Sequence, residues 1–186
     1  MYTYEAGIRT VKALAVAGAC ALALNACTPA ASTVPAQRLG LGQAASAAQI
    51  RGWDIDVRAD GAGLPAGRGS VAQGQAIYQA RCLACHGEKG EKGTAPRLAG
   101  GQGTLASKAP VLTVGSYWPY ATTLYDYIHR AMPLDSPQSL TPDEVYAVTA
   151  YTLHLNGIVG ADAVLDAAAL AAIRMPNRDG FRPVLE

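Results

Sequence analysis

The chain has 186 residues, half of them apolar, with 15 Lys and Arg against 14 Asp and Glu for a net charge of +1. That length suits one domain with appendages, and the even charge balance excludes nucleic acid as an expected partner. The four cysteines are too few and too differently placed for the disulfide framework of a small secreted scaffold.

Residues 1–26 read as an export leader. Arg9 and Lys12 form a positive start, and Ala13 through Leu24 is an apolar run too short to span a bilayer comfortably. The run closes as Leu24-Asn25-Ala26-Cys27, which resembles a bacterial lipoprotein processing box. In such a box the cysteine becomes the lipidated N-terminus; Leu24, Ala26 and Cys27 fit it, whereas Asn25 is less usual. An ordinary signal peptide cut nearby and an uncleaved anchor are the alternatives. All three place the folded part outside the cytoplasm, so a periplasmic protein is expected, tethered to a membrane by lipid on Cys27. Losing Arg9, Lys12 and Glu5 with the leader leaves the charges balanced.

Residues 27–50 are rich in Ala, Ser, Pro and Gln without a helical or strand period, which predicts a flexible tether. Residues 51–69 are expected to form an arm and loop. Gly52-Trp53-Asp54-Ile55-Asp56-Val57 alternates apolar and acidic side chains, as a short extended stretch against a core would, and Gly61 through Gly69 supplies the loop.

Ser70-Val71-Ala72-Gln73 matches a capping box and predicts a helix starting there. Val71, Ile77 and Tyr78 are its apolar positions. Gly74 costs helix propensity, so it either admits another backbone closely or is simply tolerated. The helix runs into Cys82-Leu83-Ala84-Cys85-His86, and C-x-x-C-H is the attachment sequence for covalent haem c. Two thiols one turn apart can each add across a haem vinyl group, and the adjacent imidazole is then carried beneath the iron as its proximal ligand. A thioredoxin-like site would want a βαβ setting, and no alternating strand pattern flanks these cysteines. A zinc site would need two more ligands, and the remaining cysteines, Cys20 and Cys27, lie in the apolar leader segment. Haem c is normally attached outside the cytoplasm in bacteria, so leader and motif support each other.

From His86 to Trp118 the chain is rich in Gly, Pro and Lys and is expected to be loop. A second helix is predicted over about Ala121–Arg130, where Leu124, Tyr127, Ile128 and Ala131 fall at i, i+3, i+4, i+7. Thr141-Pro142-Asp143-Glu144 combines a Thr cap, Pro at the first helical position and acids at the positive dipole end. This third helix should run to about Leu155 and stop at Asn156-Gly157.

The second axial position separates an electron carrier from a catalyst or sensor, because a six-coordinate iron has no site for substrate. Met132, just before the capped third helix and stiffened by Pro133, is the expected ligand. Met175 also precedes a proline but lies beyond that helix, and either methionine could instead fill a core gap. His129 and His154 sit on predicted helices and are read as packed or surface histidines. Residues 158–186 form a C-terminal extension, with a short helix near Asp166 to Ile173 and a tail containing Pro and Arg.

A helix entering C-x-x-C-H, a loop, a short helix and a capped last helix follow the order of a small class I cytochrome c fold. The expectation is therefore an all-α domain over residues 70–157 with an N-terminal arm and a C-terminal extension, holding one haem. In many class I cytochromes a proline carbonyl after the motif accepts the bond from the proximal imidazole. Gly93-Thr94-Ala95-Pro96 matches that stretch and implies Pro96, the alternative being a turn proline. Arg97, Tyr117 and Trp118 are candidate donors to the haem propionates.

A more specific likeness lies in Thr113-Val114-Gly115-Ser116-Tyr117-Trp118-Pro119-Tyr120-Ala121-Thr122-Thr123-Leu124-Tyr125-Asp126-Tyr127-Ile128, with Arg130-Ala131-Met132-Pro133, Ser139-Leu140-Thr141-Pro142-Asp143-Glu144-Val145-Tyr146-Ala147 and Met175-Pro176-Asn177-Arg178-Asp179-Gly180-Phe181. Over roughly Gly52 to Phe181 the chain resembles the cytochrome subunits of bacterial sulfite dehydrogenases and of the Sox sulfur dehydrogenase. The resemblance implies a cytochrome that accepts electrons from a molybdenum-cofactor subunit and passes them to a downstream cytochrome c or terminal oxidase, with His86 and Met132 on the iron. The Sox form commonly has a longer chain and a second haem domain, and this chain has one C-x-x-C-H. A free-standing periplasmic carrier is the second reading. A haem enzyme or gas sensor is the third and requires that Met132 not bind iron. The chain shows no molybdenum-site cysteine or obvious general base, so it is expected to be an electron-transfer subunit that does not oxidise sulfite by itself.

Overall fold

In the computed structural model the described residues are 40–182. The leader 1–26, Cys27 and most of the expected tether lie outside them. The chain divides into two units at Ala44/Ala45, and every helix and strand of the described residues belongs to the second.

Its elements are α1 (Ala47–Trp53), β1 (Arg68–Ser70), α2 (Val71–Arg81), α3 (Leu83–His86), α4 (Ala121–Ala131), α5 (Pro142–Leu155), β2 (Val164–Asp166) and α6 (Ala167–Ala171). The helix order is the expected one. Both capping boxes form: Gln73 N–H donates to Ser70 Oγ at 3.2 Å while Ser70 N–H donates to Gln73 Oε1 at 2.9 Å. Thr141 and Glu144 exchange the same pair of bonds, with Pro142 at the start of α5.

α5 is the centre of the fold. Its residues Val145 through Leu153 are all buried, so it has neighbours on every side rather than one apolar stripe. Two glycines let other segments reach its backbone. A Cβ placed on Gly74 would overlap the Ala147 carbonyl, and one on Gly69 would overlap the Ala147 backbone. Of the two roles open to Gly74, it serves the close approach. Beside that crossing Tyr78 tilts against Tyr151 with ring centroids 5.2 Å apart. Burial pushes the Tyr78 phenol up to about 12. α4 lies on α5 through Tyr125 and Tyr146, 4.5 Å between centroids. Its inner face is Ala121, Leu124, Tyr125 and Ile128, and Tyr127, expected among its apolar positions, is exposed.

Two local features differ from expectation. Gly52 and Trp53 are helical, not extended, and Trp53 is 88 % exposed. The cause is a further capping box, Ser46 with Gln49, which starts α1 inside the stretch expected to be tether. The arm after α1 is held against the core, as expected, by side chains of α4 and α5. Val57 N–H donates to Asp126 Oδ1 at 2.8 Å, Thr122 Oγ1 donates to the Ala59 carbonyl at 3.0 Å and Tyr146 Oη donates to the Pro65 carbonyl at 2.9 Å. Lastly, β1 and β2 pair antiparallel with Gly69 opposite Leu165, so the extension contributes a strand to an otherwise helical body. Three-residue strands carry too little alternation to be seen in sequence. The short helix of the extension does form, capped by Asp166, whose Oδ1 accepts from Ala169 N–H at 2.9 Å.

Gly74→Ala decides between propensity and packing. Helix propensity alone would make it stabilising by about 1 kcal/mol, while overpacking costs about 1–3 kcal/mol. The obstacle is the Ala147 backbone, which cannot rotate away. A net loss of up to about 2 kcal/mol is expected, read as a lower urea midpoint at unchanged m-value.

Candidate haem site

The motif occupies the break between α2 and α3. Cys82 caps α2, with its N–H on the Tyr78 carbonyl at 2.8 Å, and its own carbonyl accepts from His86 N–H at 3.0 Å. Cys85 and His86 thus follow on the next turn, and the two thiols and the imidazole leave one short segment. Gly87 then turns the chain away at φ +76°, a conformation that suits glycine. Its carbonyl accepts from the Tyr78 hydroxyl at 2.8 Å. Cys82 is half-buried and Cys85 exposed. Burial pushes the Cys82 thiol up to about 11, against the opposing pull of Arg81.

The His86 ring is held on one side. Its Nδ1 lies 3.0 Å from the Pro96 carbonyl oxygen. A carbonyl only accepts, so Nδ1 carries the proton and Nε2 presents its lone pair, the tautomer a metal ligand needs. The segment bearing Pro96 is folded back by Ala95 N–H on the Cys85 carbonyl at 2.9 Å and Leu98 N–H on the Gly90 carbonyl at 2.8 Å. Gly93 permits this return, since a Cβ there would overlap the Cys85 carbonyl. No group of three His, Cys, Asp or Glu side chains suited to a metal ion occurs among the described residues.

The family model for cytochrome c matches residues 71–156. A chain in the crystal structure of the sulfane dehydrogenase SoxCD from Paracoccus pantotrophus is similar to this one, with 46 % identity, a TM-score of 0.74, and coverage of 78 % of this chain and 72 % of that chain. The chain belongs to the cytochrome c family. Within it, the likeness is to the Sox and sulfite dehydrogenase type, as the resemblance in the sequence implies, and the fold is the class I cytochrome c fold with little sheet. None of the curated proteins matches the chain.

Membership implies covalently bound haem c, and the donor set fits it. Two thiols stand one turn apart, and an imidazole with its Nε2 free follows at once. The candidates for the other axial position differ in setting. Met132 caps α4 in extended conformation, its N–H on the Ile128 carbonyl at 3.0 Å, and is partly exposed at the edge of the core. The end of α4 that presents it is held by Asp126, which is buried, forms an ion pair with Arg130 and takes the Val57 amide as well. The Asp126 hydrogen bond pushes the Arg130 guanidinium up from its ordinary value.

Met175 is 1 % exposed and belongs to the hydrophobic cluster, so protein atoms enclose its thioether. His154 Nδ1 lies 3.2 Å from the Val159 carbonyl, and His129 packs on Tyr125 with ring centroids 5.9 Å apart. Both are packed histidines.

The three residues named for the propionates are not equivalent. Arg97 follows Pro96 directly and is exposed. Trp118 stands edge-on to Tyr127, 5.8 Å between centroids. Tyr117 faces Phe181 at 5.0 Å, and its carbonyl accepts from Asn177 Nδ2 at 2.7 Å. The Tyr117 and Trp118 block is therefore braced by the C-terminal extension, a pairing that no local sequence signal announces. Tyr78, read from sequence as a core position, also reaches the turn after His86 through its hydroxyl.

Met175→Ala should cost about 2–5 kcal/mol of unfolding free energy, the range for emptying a buried methionine site. Denaturant unfolding of the holoprotein measures it, and a loss below about 0.5 kcal/mol, the level of an exposed position, would contradict its core role.

Proposed function

We propose that this cytochrome is the monohaem electron-transfer subunit of a molybdenum-cofactor sulfite or sulfur dehydrogenase, passing electrons to a downstream cytochrome c or terminal oxidase. The observation that carries the reading is the 46 % identity over 78 % of the chain to a chain of the sulfane dehydrogenase SoxCD. Cys82 and Cys85 would hold the haem covalently, and His86 and Met132 would be the residues that bind its iron. The bound haem supplies a one-electron couple. With haem bound, His86 would donate through Nε2 while its Nδ1–H bond to the Pro96 carbonyl favours that ring orientation and tautomer. Met132 as second ligand would leave the iron no site for a small molecule, which suits transfer and not catalysis. Arg97, Tyr117 and Trp118 neutralise or donate to the propionates.

The domain over residues 70–157 works in the periplasm, delivered by the leader 1–26 and tethered through lipid on Cys27 and the segment 27–50. No helix among the described residues is long and apolar enough to cross a membrane.

Two measurements test it. The oxidised protein is expected to show a methionine-to-iron charge-transfer band that Met132→Ala abolishes and Met175→Ala leaves in place; retention of the band in Met132→Ala would refute the ligand assignment. Mixed with a molybdenum-cofactor sulfite or sulfane dehydrogenase subunit, the cytochrome should be reduced when sulfite or a protein-bound sulfane sulfur is supplied. If neither substrate reduces it, a free-standing carrier becomes the better reading.

A further inference from the structure

Asn156 closes α5, and as a helix stop its side chain would be expected to meet only its own helix or water. Instead Nδ2 donates twice: to the Thr152 carbonyl at 2.9 Å, one turn back, and to the Leu98 carbonyl at 3.0 Å, across 58 residues. Its Oδ1 is buried without a donor. Gly115 makes room for it, since a Cβ on Gly115 would overlap the Asn156 amide and Gln102 Nε2. A buried amide oxygen left unpaired is costly, so an amide kept here is kept for what its nitrogen does.

We propose that Asn156 is a positioning residue for the proximal imidazole, acting through Leu98 on the Pro96 carbonyl. Pro96 has no N–H of its own, and the peptide that carries its carbonyl has the Arg97 N–H. The carbonyl that accepts from His86 Nδ1–H is placed by its neighbours in the chain. On the near side Ala95 N–H holds the Cys85 carbonyl. On the far side Arg97 is exposed, and Leu98 is the first residue fixed at both ends, its N–H on Gly90 and its carbonyl on Asn156. Of these restraints only the last comes from a side chain. The C-terminal end of α5, the most buried element, thus helps to set the acceptor of the His86 Nδ1–H bond.

A firm Nδ1–H bond makes the imidazole a stronger donor through Nε2, which favours the oxidised metal. Releasing Leu98 should loosen that bond and raise the reduction potential. Simple admission of water would lower it, so the sign separates positioning from general loosening. The inference rests on the reading of His86 as the iron ligand.

The test uses the holoprotein. Asn156→Leu keeps the shape and removes the donors. Gln102→Ala removes a 3.2 Å bond onto the Asn156 main-chain carbonyl and leaves Leu98 untouched. Asn156→Leu is expected to raise the reduction potential and to move the His86 Nδ1 proton resonance upfield, with Gln102→Ala at wild-type values for both. Wild-type values in Asn156→Leu, or equal movement in Gln102→Ala, would overturn the inference. Should Asn156→Leu not accumulate, the reduced wild-type protein decides: a scalar coupling across the hydrogen bond from Asn156 Nδ2 to the Leu98 carbonyl carbon supports it, and absence of that coupling overturns it. A wild-type protein lacking a hydrogen-bonded His86 Nδ1 proton would overturn the ligand reading and the inference with it. The same proton present but unmoved in Asn156→Leu overturns the inference alone.

Discussion

The contact on which the rest depends is the approach of Gly69 and Gly74 to the backbone of Ala147. α2 and α5 are distant in sequence, and either alone is a short helix of marginal stability in water. Packing without intervening side chains brings them close enough for Tyr78 and Tyr151 to meet beside the crossing. It also fixes the direction in which α2 delivers Cys82. An attachment segment works only if its thiols and imidazole reach a common plate, so the glycines are part of the site although neither touches it.

From that crossing the restraints on the motif run outward in both directions. Tyr78 uses its hydroxyl on the Gly87 carbonyl, which fixes the turn after His86. The loop 90–98 returns over the motif and offers the Pro96 carbonyl to Nδ1. At the far end α4 lies on α5 through Tyr125 and Tyr146, and Asp126 joins the arm to Arg130 just before Met132. The segment bearing His86 and the segment bearing Met132 are thus held against one buried helix. Their relation is a consequence of packing on α5 rather than of the long, irregular loop between them.

What the sequence made legible was local chemistry. Ser70 with Gln73 and Thr141 with Glu144 announce helix starts because each capping bond is made within four residues. The five residues from Cys82 to His86 announce a haem for the same reason, since the attachment chemistry fits within one turn. Ser46 with Gln49 is an equally local signal, and it outweighs the apolar alternation of Gly52 to Val57, which suggested an extended arm. The features that sequence could not show join distant residues: Gly69 opposite Leu165, Asn156 on Leu98, Asp126 on Val57. Each involves a residue whose type has many common uses, so nothing but the folded chain distinguishes them. Pro96 lies between these cases. Its place after the motif implied its role by resemblance, and the 3.0 Å approach of His86 Nδ1 supplies the physical reason to keep it.

The C-terminal extension is better understood as part of the domain than as an appendage. It begins by adding β2 beside the strand that leads into α2, with Val71 N–H donating to the Ala163 carbonyl at 3.0 Å. It continues by burying Leu170 and Met175 in the same cluster as Tyr125 and Tyr146. Only then does it reach the Tyr117 to Tyr120 block, where Arg174 bridges Tyr120, Asn177 holds the Tyr117 carbonyl, Arg178 covers the Tyr120 ring at 3.9 Å and Phe181 meets Tyr117. Two of the stretches that made the chain resemble sulfur dehydrogenase cytochromes, residues 113–128 and 175–181, therefore meet in space at Tyr117 and Tyr120. Met175 is the peg that joins them: its burial holds the turn from which Asn177 and Arg178 extend. The tail's polar contacts are individually weak and partly exposed, so they depend on that peg, and the aromatic block they brace depends on it in turn.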